Sequence, residues 1–416
     1  MNRPSPDYDV IIIGAGPAGS LASSLLVQQG YSALVIEKET FPRFSIGESL
    51  LPQSMIYLEE AKMLKAVEEA AESLGFQYKN GAAFIANDQY SDFNFSEKFS
   101  AGPGHTYQVK RAHFDQLLAN EAENQGADFK FGCLLTSLQL EPEPVLTIQT
   151  EKGISEQLTA RFILDASGFA RVLPRLLDLS QPSDFPVRSS VFCHIKDNIS
   201  DTDYDRNKIL IETHPELDDV WFWLIPFSDG TSSLGCVAKP EYFEQLTTAD
   251  TPEALLDQAI AETSRFQTLL ASSTKTSDTR QVTGFSSNVK QLYGRNFALL
   301  GNAGEFLDPI FSSGVTIAFK SAKLATDILN KQFTNQPYCW QTEFAEPLQQ
   351  GVNTFKAFVN SWYQGDFQNI IHFKDAPTEV REMICSILAG YAWDKDNPFV
   401  QQPERRLQVV GGLCAS

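Results

Sequence analysis

The chain has 416 residues, 43% of them hydrophobic, and a formal net charge of −19 at pH 7. Its length is sufficient for two closely packed domains with a large core. The acidic balance, without an extended Lys/Arg cluster, argues against a nucleic-acid partner or an anionic membrane surface. No apolar run approaches the ~18 residues that a membrane-spanning helix needs. The six cysteines form no C-x-x-C pair and show no zinc-like spacing with histidine, so we expect reduced thiols, no metal site and a cytoplasmic location.

The first strong signal is a glycine-rich turn between an apolar strand and a helix. Residues 10–13 run into Gly14, and Gly16 and Gly19 complete the G-x-G-x-x-G spacing before a helix predicted at 17–29. Such a turn lets the backbone approach a pyrophosphate, which the free N–H groups and dipole of the helix N-terminus favour. The pattern therefore predicts a dinucleotide-binding site.

A second strand, a terminal acid and a loop continue this unit. The strand at 33–36 ends at Glu37, where the ribose diol of a dinucleotide needs an acceptor. The loop at 41–52 contains two prolines and a glycine and leads into a helix. Within it, Arg43 is a candidate contact for phosphate or flavin oxygens, the alternative being a surface arginine.

Beyond this loop the apolar pattern predicts two kinds of sheet. Alternating, aromatic-rich segments are typical of antiparallel sheets, whereas short buried runs are typical of parallel strands. The predicted elements are strands within 76–95, a helix at 108–125, strands at 128–140, 145–151 and 161–165, antiparallel strands within 188–238, helices within 252–271, a strand at 297–300 and helices from 314 to 391. They predict a discontinuous nucleotide domain at 1–75, 105–185 and 285–335, a sheet domain at 76–104 and 186–284, and a helical C-terminal cap at 336–416.

Two more motifs follow apolar strands. Asp165 opens the turn at 165–168, and Gly301 and Asn302 follow the strand at 297–300. Together with the glycine-rich turn they resemble the FAD-dependent monooxygenase superfamily with a hydroxybenzoate-hydroxylase-like fold. The resemblance implies a Rossmann-like FAD-binding domain with an inserted antiparallel sheet. Where that superfamily usually has Asp on the flavin ribityl chain, this chain has Asn302, whose amide still accepts and donates hydrogen bonds, so we expect FAD binding to be retained.

The segment W-F-W-L-I-P at 221–226 resembles the W-x-W-x-I-P signature of flavin-dependent halogenases. Strand alternation places Trp221 and Trp223 on one face, beside a large flat ligand. Plain core packing is the alternative. On the halogenase interpretation, the residues of the substrate tunnel are Trp221, Trp223, Ile225 and Pro226.

Lys79 lies within an apolar, aromatic stretch at 75–84. The stretch is similar to the F-x-x-K-x-G-A segment of phenol- and pyrrole-acting halogenases, in which the lysine orients or captures the electrophilic halogen. A desolvated amine with a lowered pKa suits that role. The alternative is a lysine that faces solvent on an alternating strand.

The run D-P-I-F-S-S-G-V-T at 308–316 precedes a predicted helix. Successive N–H groups around Ser312, Ser313 and Gly314 are expected to form an anion-binding nest at the helix N-terminus. The same run occurs in carrier-protein pyrrole halogenases and phenol halogenases. The nest would hold the flavin edge on one side and chloride or bromide on the other. A loop that binds only flavin is the alternative.

The motifs and the resemblance together give a set of expected FAD contacts. Two further interpretations stay open: Arg111 either touches the adenosine half of FAD or pairs with Asp115, and the C-terminal aromatic residues either form core or line the substrate mouth. Residues 384–394 are similar to halogenase-like flavoproteins of aryl-polyene and resorcinol pigment clusters. The expected FAD contacts are Gly14, Gly16, Ala18, Gly19, Glu37, Lys38, Arg43, Ser49, Arg111, Asp165, Gly301, Asn302, Pro309, Gly314 and Val315.

The resemblance implies an FAD-dependent oxidoreductase that halogenates an electron-rich aromatic such as a phenol, resorcinol, pyrrole or aryl chain, free or tethered to a carrier protein. Because no second G-x-G-x-x-G is present for a nicotinamide, we expect a separate reductase to supply FADH2. An aromatic hydroxylase, a polyene or isoprenoid reductase-dehydrogenase and a flavin-holding subunit without turnover are the alternatives. The five histidines show no recognisable catalytic pattern, which argues against a serine hydrolase.

Overall fold

The computed structural model describes residues 5–200, 204–246 and 251–414. The predicted domain segments at 1–4, 201–203, 247–250 and 415–416 lie outside the described residues. The predicted division into three parts stays a prediction, but the two kinds of sheet and the helical C-terminal region are all present.

Twenty strands are present in the described part of the chain. In chain order they are Tyr8–Ile13 (β1), Ala33–Ile36 (β2), Gln77–Lys79 (β3), Gly81–Ala86 (β4), Gln89–Asn94 (β5), Thr106–Gln108 (β6), Asp128–Lys130 (β7), Cys133–Gln139 (β8), Val145–Thr150 (β9), Ser155–Asp165 (β10), Ser180–Gln181 (β11), Ser189–Lys196 (β12), Lys208–Thr213 (β13), Trp221–Pro226 (β14), Thr231–Ala238 (β15), Thr274–Lys275 (β16), Arg280–Thr283 (β17), Asn288–Val289 (β18), Tyr293–Gly294 (β19) and Phe297–Leu299 (β20).

Fourteen α-helices connect and cover these strands within the same described ranges. They are Pro17–Gln28 (α1), Gln53–Glu60 (α2), Leu64–Ala70 (α3), Arg111–Asn124 (α4), Val172–Leu176 (α5), Pro240–Gln245 (α6), Pro252–Ala261 (α7), Arg265–Leu269 (α8), Gly314–Phe333 (α9), Glu346–Tyr363 (α10), Asp366–His372 (α11), Thr378–Leu388 (α12), Pro398–Gln401 (α13) and Pro403–Cys414 (α14). Short 3-10 turns occupy Phe95–Glu97, Gly168–Ala170, Gly301–Ala303 and Pro309–Phe311, and Gln341–Ala345 forms a π-helix.

The first sheet contains the glycine-rich turn and is mainly parallel. Its main path runs β19-β20-β10-β1-β2-β7, and β20, β10, β1, β2 and β7 share one direction. Ile13 at the end of β1 pairs with Asp165 of β10 and with Ile36 of β2. The expected strand ends therefore meet at one edge, where open α/β sheets bind ligands.

The second sheet is antiparallel apart from one parallel pair, β4 with β13. Its main path runs β16-β12-β15-β14-β13-β4-β5, so β14 is central. Alternation along β14 is confirmed: Trp221, Trp223 and Ile225 pack into the core shared with the first sheet, whereas Phe222 and Leu224 enter a separate core with α7 and α8. The tryptophan face thus points toward the nucleotide domain.

The aromatic side chains of the C-terminal region form core, as the simpler interpretation predicts. Phe358, Trp362 and Phe367 are buried, and their rings surround Phe311 with centroid distances of 6.4, 6.1 and 5.4 Å. The C-terminal helices therefore anchor the loop that precedes α9. This contact joins residues about 50 positions apart in sequence.

Candidate functional site

Two glycines in the first turn are required by contacts between backbone segments. Gly14 has a φ of +100°, and a Cβ there would lie 2.6 Å from the Ala166 carbonyl oxygen. A Cβ at Gly19 would lie 1.9 Å from the Gly14 carbonyl oxygen. Any side chain would therefore separate α1 from the sheet.

The start of α1 remains open to a ligand. Gly16 is its N-cap and no side chain of the described residues caps the helix, so its first N–H groups are available to an anion. A Cβ at Gly16 would meet only Arg43, whose Nη2 would lie 3.6 Å away. These features fit the pyrophosphate of a dinucleotide.

Glu37 and Arg43 lie directly beside this turn. One oxygen of Glu37 accepts a hydrogen bond from the Ala15 N–H (2.9 Å) and lies 3.7 Å from Nη2 of Arg43. Nη1 of Arg43 lies 3.2 Å from Asp115, and its side chain is 15% exposed. Arg43 is therefore largely buried and paired beside the glycine-rich turn, which argues against the surface-arginine alternative, whereas its contact with phosphate or flavin oxygens stays a prediction.

Arg111 pairs with Asp115, one of its two predicted roles. Its Nε and Nη2 lie 2.8 and 3.1 Å from the two carboxylate oxygens, and Nη1 donates to the Ile46 carbonyl (2.7 Å). Arg111 thereby holds the loop that carries Arg43 and leads to Ser49. Contact between Arg111 and the adenosine of FAD stays a prediction.

Asp165 and Lys38 lie near the turn, but their charged groups are already engaged. The Asp165 oxygens accept hydrogen bonds from the N–H groups of Ser167 (2.9 Å) and Leu173 (2.7 Å), and burial raises the pKa of this carboxyl. Lys38 is exposed and lies 3.0 Å from Glu39. Asp165 shapes the turn at the end of β10, whereas direct FAD contacts by either residue stay predictions.

The loop before α9 forms a concave turn. Asp308 accepts a hydrogen bond from the Ile310 N–H (3.1 Å), and Ser312 adopts the left-handed φ of +56° while its N–H donates to Pro309 (2.9 Å). Helix α9 then begins at Gly314 without a side-chain cap from the described residues. A residue in the left-handed conformation, followed by right-handed residues whose N–H groups are free at the start of a helix, has the backbone geometry of an anion nest.

Asn302 adjoins this helix N-terminus. A Cβ placed on Gly314 would lie 4.0 Å from the Asn302 side-chain oxygen. A Cβ on Gly301 would lie 2.9 Å from the Ala318 side chain of α9, so the 301–303 turn packs tightly on the helix. The Asn302 amide and the nest at 312–314 are thus brought to one place.

Lys79 is buried, and the solvent-facing alternative is wrong. Its side chain is 1% exposed, and Nζ donates hydrogen bonds to Ser49 Oγ (2.7 Å) and to the Leu50 carbonyl (2.8 Å). The Phe95 ring centroid lies 5.4 Å from Nζ. Burial lowers the pKa of Lys79 to about 7, so amine and ammonium coexist near neutrality. The Ser49 hydroxyl, predicted to contact FAD, is engaged by this lysine.

Trp221 and Trp223 lie side by side on β14 and form an aromatic surface, which we call the tryptophan wall. The Trp221 and Trp223 rings lie 5.9 Å apart, and Trp223 Nε1 donates to Ser233 Oγ (3.1 Å). A Cβ at Gly235 would lie 2.4 Å from the Trp223 indole, so that ring packs directly against the Gly235 backbone of β15. Ile225 and Pro226 are also buried on the same strand.

Tyr363 makes two hydrogen bonds that the sequence does not predict. Its hydroxyl accepts a hydrogen bond from Trp221 Nε1 (2.9 Å) and donates one to Asp308 (2.8 Å). Burial raises the pKa of the Asp308 carboxyl to about 6. These partners are 142 and 55 residues from Tyr363, and no local pattern signals such a contact.

Glu48 and His194 form a second pair that the sequence did not reveal. Glu48 is 1% exposed, and one of its oxygens lies 2.7 Å from His194 Nε2. The other oxygen is buried without a hydrogen-bond partner among the described residues. Burial opposes protonation of His194, but the hydrogen bond and charge of Glu48 raise the pKa of the imidazole.

Within the described ranges, no cluster of three or more His, Cys, Asp or Glu side chains is arranged to hold a metal ion. Nor does any helix in that part of the chain have the length and apolar character needed to cross a bilayer.

Known proteins share both the sequence pattern and the fold. A carrier-protein pyrrole chlorinase of Pseudomonas fluorescens is 28% identical over 86% of this chain and 84% of its own length. A solved flavoprotein/dehydrogenase from Cytophaga hutchinsonii is 40% identical, covers 98% of both chains and superposes with a TM-score of 0.93. The myxobacterial chondrochloren halogenase, an FAD-dependent halogenase, is 26% identical over 98% of this chain and 96% of its own, with a TM-score of 0.73.

The family model described as tryptophan halogenase matches residues 9–103 and 82–373, which is most of the chain. The predicted halogenase resemblance and the FAD-binding fold are therefore confirmed. The glycine-rich turn, Arg43 and the nest before α9 fit the flavin cofactor of that family. The chain belongs to the tryptophan halogenase family and is an FAD-dependent enzyme.

Proposed function

We propose that this protein uses FADH2, O2 and chloride or bromide to halogenate an electron-rich aromatic substrate. The observation that carries the proposal is Lys79: a buried amine with a pKa of about 7, held by two neutral acceptors. A lysine that merely stabilised the fold would be expected near a carboxylate, since an unpaired buried charge is costly. The burial of the Lys79 amine without a carboxylate partner lowers the stability of the fold, and a reactive role for the amine explains why it is buried there.

Each part of the site has one chemical task in this proposal. Bound in reduced form, FAD would supply two electrons that reduce O2 to the peroxide level, and oxygen at that level would take two electrons from the halide, giving hypohalous acid and water. The N–H groups of Ser313 and Gly314 hold the halide, since the Ser312 N–H is engaged by the Pro309 carbonyl. The Lys79 Nζ then hydrogen-bonds the hypohalous acid, or its neutral amine forms an N–halogen bond as the O–halogen bond breaks and water leaves. Either species is directed to the substrate, while the wall of Trp221 and Trp223 excludes water.

The substrate class rests on the relatives. The Pseudomonas fluorescens chlorinase acts on a pyrrole tethered to a carrier protein, and the chain aligns with most of its length. We therefore propose a phenol, resorcinol, pyrrole or aryl chain as substrate, free or carrier-tethered, and a separate flavin reductase as the source of FADH2.

A flavin-dependent dehydrogenase or reductase is the second candidate function. It is favoured by the 40% identity to the Cytophaga hutchinsonii protein, whose name is flavoprotein/dehydrogenase. Its product would differ from the substrate in hydrogen count and would form without halide.

One experiment separates the two candidates. The enzyme is supplied with FAD, a flavin reductase with NADH, O2 and a panel of phenols, resorcinols and pyrroles, with bromide, with chloride or without halide. Halogenation predicts products that carry bromine or chlorine and that disappear without halide. Products that are identical in all three conditions, with altered hydrogen count, would instead support the dehydrogenase.

A further inference from the structure

A hydrogen-bonded chain connects three parts of the molecule at the proposed site. Trp221 Nε1 donates to the Tyr363 hydroxyl (2.9 Å), and that hydroxyl donates to Asp308 (2.8 Å). Trp221 belongs to β14, Tyr363 ends α10, and Asp308 begins the loop that leads into α9. One hydroxyl therefore contacts both the tryptophan wall and the loop that contains the anion nest.

We propose that Tyr363 is a positioning residue that fixes the Trp221 indole relative to the loop at 308–314 and so limits the escape of hypohalous acid from the site. The role in the reaction rests on the proposed halogenase function. The hydrogen-bonded chain itself is a property of the protein without cofactor or substrate.

The Tyr363 hydroxyl satisfies both neighbours. The indole N–H needs an acceptor, and the carboxylate needs a donor, so a phenol placed between them satisfies each. Trp221 and Asp308 are each 2% exposed, so water does not readily replace the phenol. Removal of the hydroxyl would leave a buried donor and a buried acceptor unpaired.

The Tyr363 ring is held on its face as well as at its tip. The Arg188 guanidinium lies 3.6 Å from the ring centroid, and Arg188 is itself fixed by a hydrogen bond to the Asp219 carbonyl (2.9 Å). A ring clamped in this way loses little additional freedom when its hydroxyl bonds. The phenol is therefore preorganised as a spacer between the wall and the loop.

The loop side of the chain is equally constrained. Asp308 uses its other oxygen to accept the Ile310 N–H (3.1 Å), which sets the turn that leads to Ser312. A change in the position of Asp308 would thus be transmitted to the nest. Because placement errors of about 1 Å reduce reaction efficiency strongly, the distance between nest and wall must be kept constant.

The first test uses the protein without cofactor or substrate. The chain has five tryptophans, so indole-nitrogen labelling gives five resolvable N–H signals, and Trp221→Phe assigns the signal of interest. We expect Tyr363→Phe to shift that signal upfield and to accelerate its hydrogen exchange several-fold. Tyr391→Phe is the matched control, since Tyr391 is also buried and its hydroxyl donates to the Pro103 carbonyl (2.8 Å), outside the hydrogen-bonded chain of Trp221, Tyr363 and Asp308. An unchanged Trp221 signal in Tyr363→Phe, or an equal shift in the control, would overturn the proposal.

The second test follows the fate of the oxidised halide. With bromide, reductase, O2 and an accepted phenol, a diffusible dione scavenger reports the share of hypobromous acid that escapes. We expect Tyr363→Phe to raise that share, counted per FADH2 oxidised, several-fold. An unchanged share would overturn the role of Tyr363 in the reaction. A wild-type enzyme that brominates neither the phenol nor the scavenger would overturn the proposed halogenase function, and with it this role, whatever the tryptophan spectrum shows.

Discussion

The site depends most on a single residue whose ionisation is set by its burial. Lys79 has two neutral hydrogen-bond acceptors and is 1% exposed, and its pKa falls from 10.5 to about 7. A pKa lowered on folding means that the ammonium form destabilises the fold. The penalty is complete below pH 7 and disappears as the pH rises toward the unfolded value of 10.5.

We predict that Lys79→Met stabilises the protein at low pH. The substitution removes the cost of the buried ammonium, about 5 kcal/mol in folding free energy. It also removes two hydrogen bonds, whose loss costs about 2 kcal/mol. At pH 6 the free energy of unfolding should therefore rise by about 3 kcal/mol, and above pH 10 the variant should be less stable than the wild type. Denaturant unfolding at several pH values measures this change.

Lys98→Met is the control for that series. Lys98 is partly buried and also donates to a carbonyl, that of Gly102 (2.7 Å), but its Nζ lies 5.2 Å from the Tyr391 ring centroid rather than beside Ser49. Its smaller burial predicts a much weaker pH dependence. If the stability difference of Lys79→Met did not vary with pH, the buried ammonium could not be its cause.

Asp308 gives a second prediction for a single residue. Here the penalty on stability appears as the pH rises, whereas that of Lys79 disappears. Burial raises its pKa from 3.8 to about 6, so its ionised form costs about 3 kcal/mol above pH 6 and nothing below pH 3.8. Asp308→Asn removes this charge but keeps an oxygen for Tyr363. Thermal unfolding should show a higher Tm than wild type at pH 8 and equal values near pH 4. A constant difference across this range would contradict the assignment.

At the scale of elements, the strand–turn–helix unit has the least tolerance to change. A Cβ at Gly19 would lie 1.9 Å from the Gly14 carbonyl, so α1 cannot keep its position with alanine there. We predict that Gly19→Ala weakens FAD binding at least about tenfold, because a displacement of the helix N-terminus misplaces the anion-binding N–H groups. Quenching of flavin fluorescence measures the dissociation constant.

Gly412→Ala provides the comparison for that variant. Gly412 lies in α14, and nothing approaches its Cβ position within 4 Å. Alanine should leave FAD affinity unchanged and helix stability equal or slightly higher. Equal FAD affinities for both variants would contradict the role given to Gly19.

Elements with a local signal could be predicted from the sequence. The helix expected at 17–29 is observed at Pro17–Gln28, and the strand expected at 33–36 is observed at Ala33–Ile36. Alternation along β14 correctly placed Trp221 and Trp223 on one face. In each case the signal is a period or a turn motif within about a dozen residues.

Contacts between distant elements could not be predicted in this way. The bond between Tyr363 and Asp308, and the pair formed by Glu48 and His194, depend on how the two sheets and α10 pack. From local sequence, a tyrosine in an aromatic helix is assigned to the core and a histidine on a strand to the surface. Only the tertiary structure shows the hydrogen-bond partner of each. The burial of Lys79 was predicted only through its resemblance to known halogenases.

At the scale of the whole molecule, the C-terminal helices support the loop that precedes α9. Phe367 is fully buried, and its ring centroid lies 5.4 Å from that of Phe311 in the loop before α9. We predict that Phe367→Ala lowers the free energy of unfolding by about 3–5 kcal/mol. It should also weaken FAD binding, because the loop loses its support.

Phe266→Ala distinguishes these two effects. Phe266 is equally buried but belongs to the separate core between the second sheet and α7. Its loss should reduce stability by a similar amount and leave the FAD dissociation constant unchanged. If both variants bound FAD equally well, the C-terminal helices would have no specific role in the site.

We propose that the whole fold brings a buried amine and an aromatic wall to a halide held by the nest before α9, beside the flavin. Mass spectrometry of the product formed from FADH2, O2, bromide and an electron-rich phenol or pyrrole tests this most directly. We predict a product in which bromine replaces one hydrogen, with its isotope doublet, and no such product from Lys79→Met although FADH2 is still oxidised. Bromination by Lys79→Met at the wild-type level, or a product without bromine from every substrate tried, would contradict the claim.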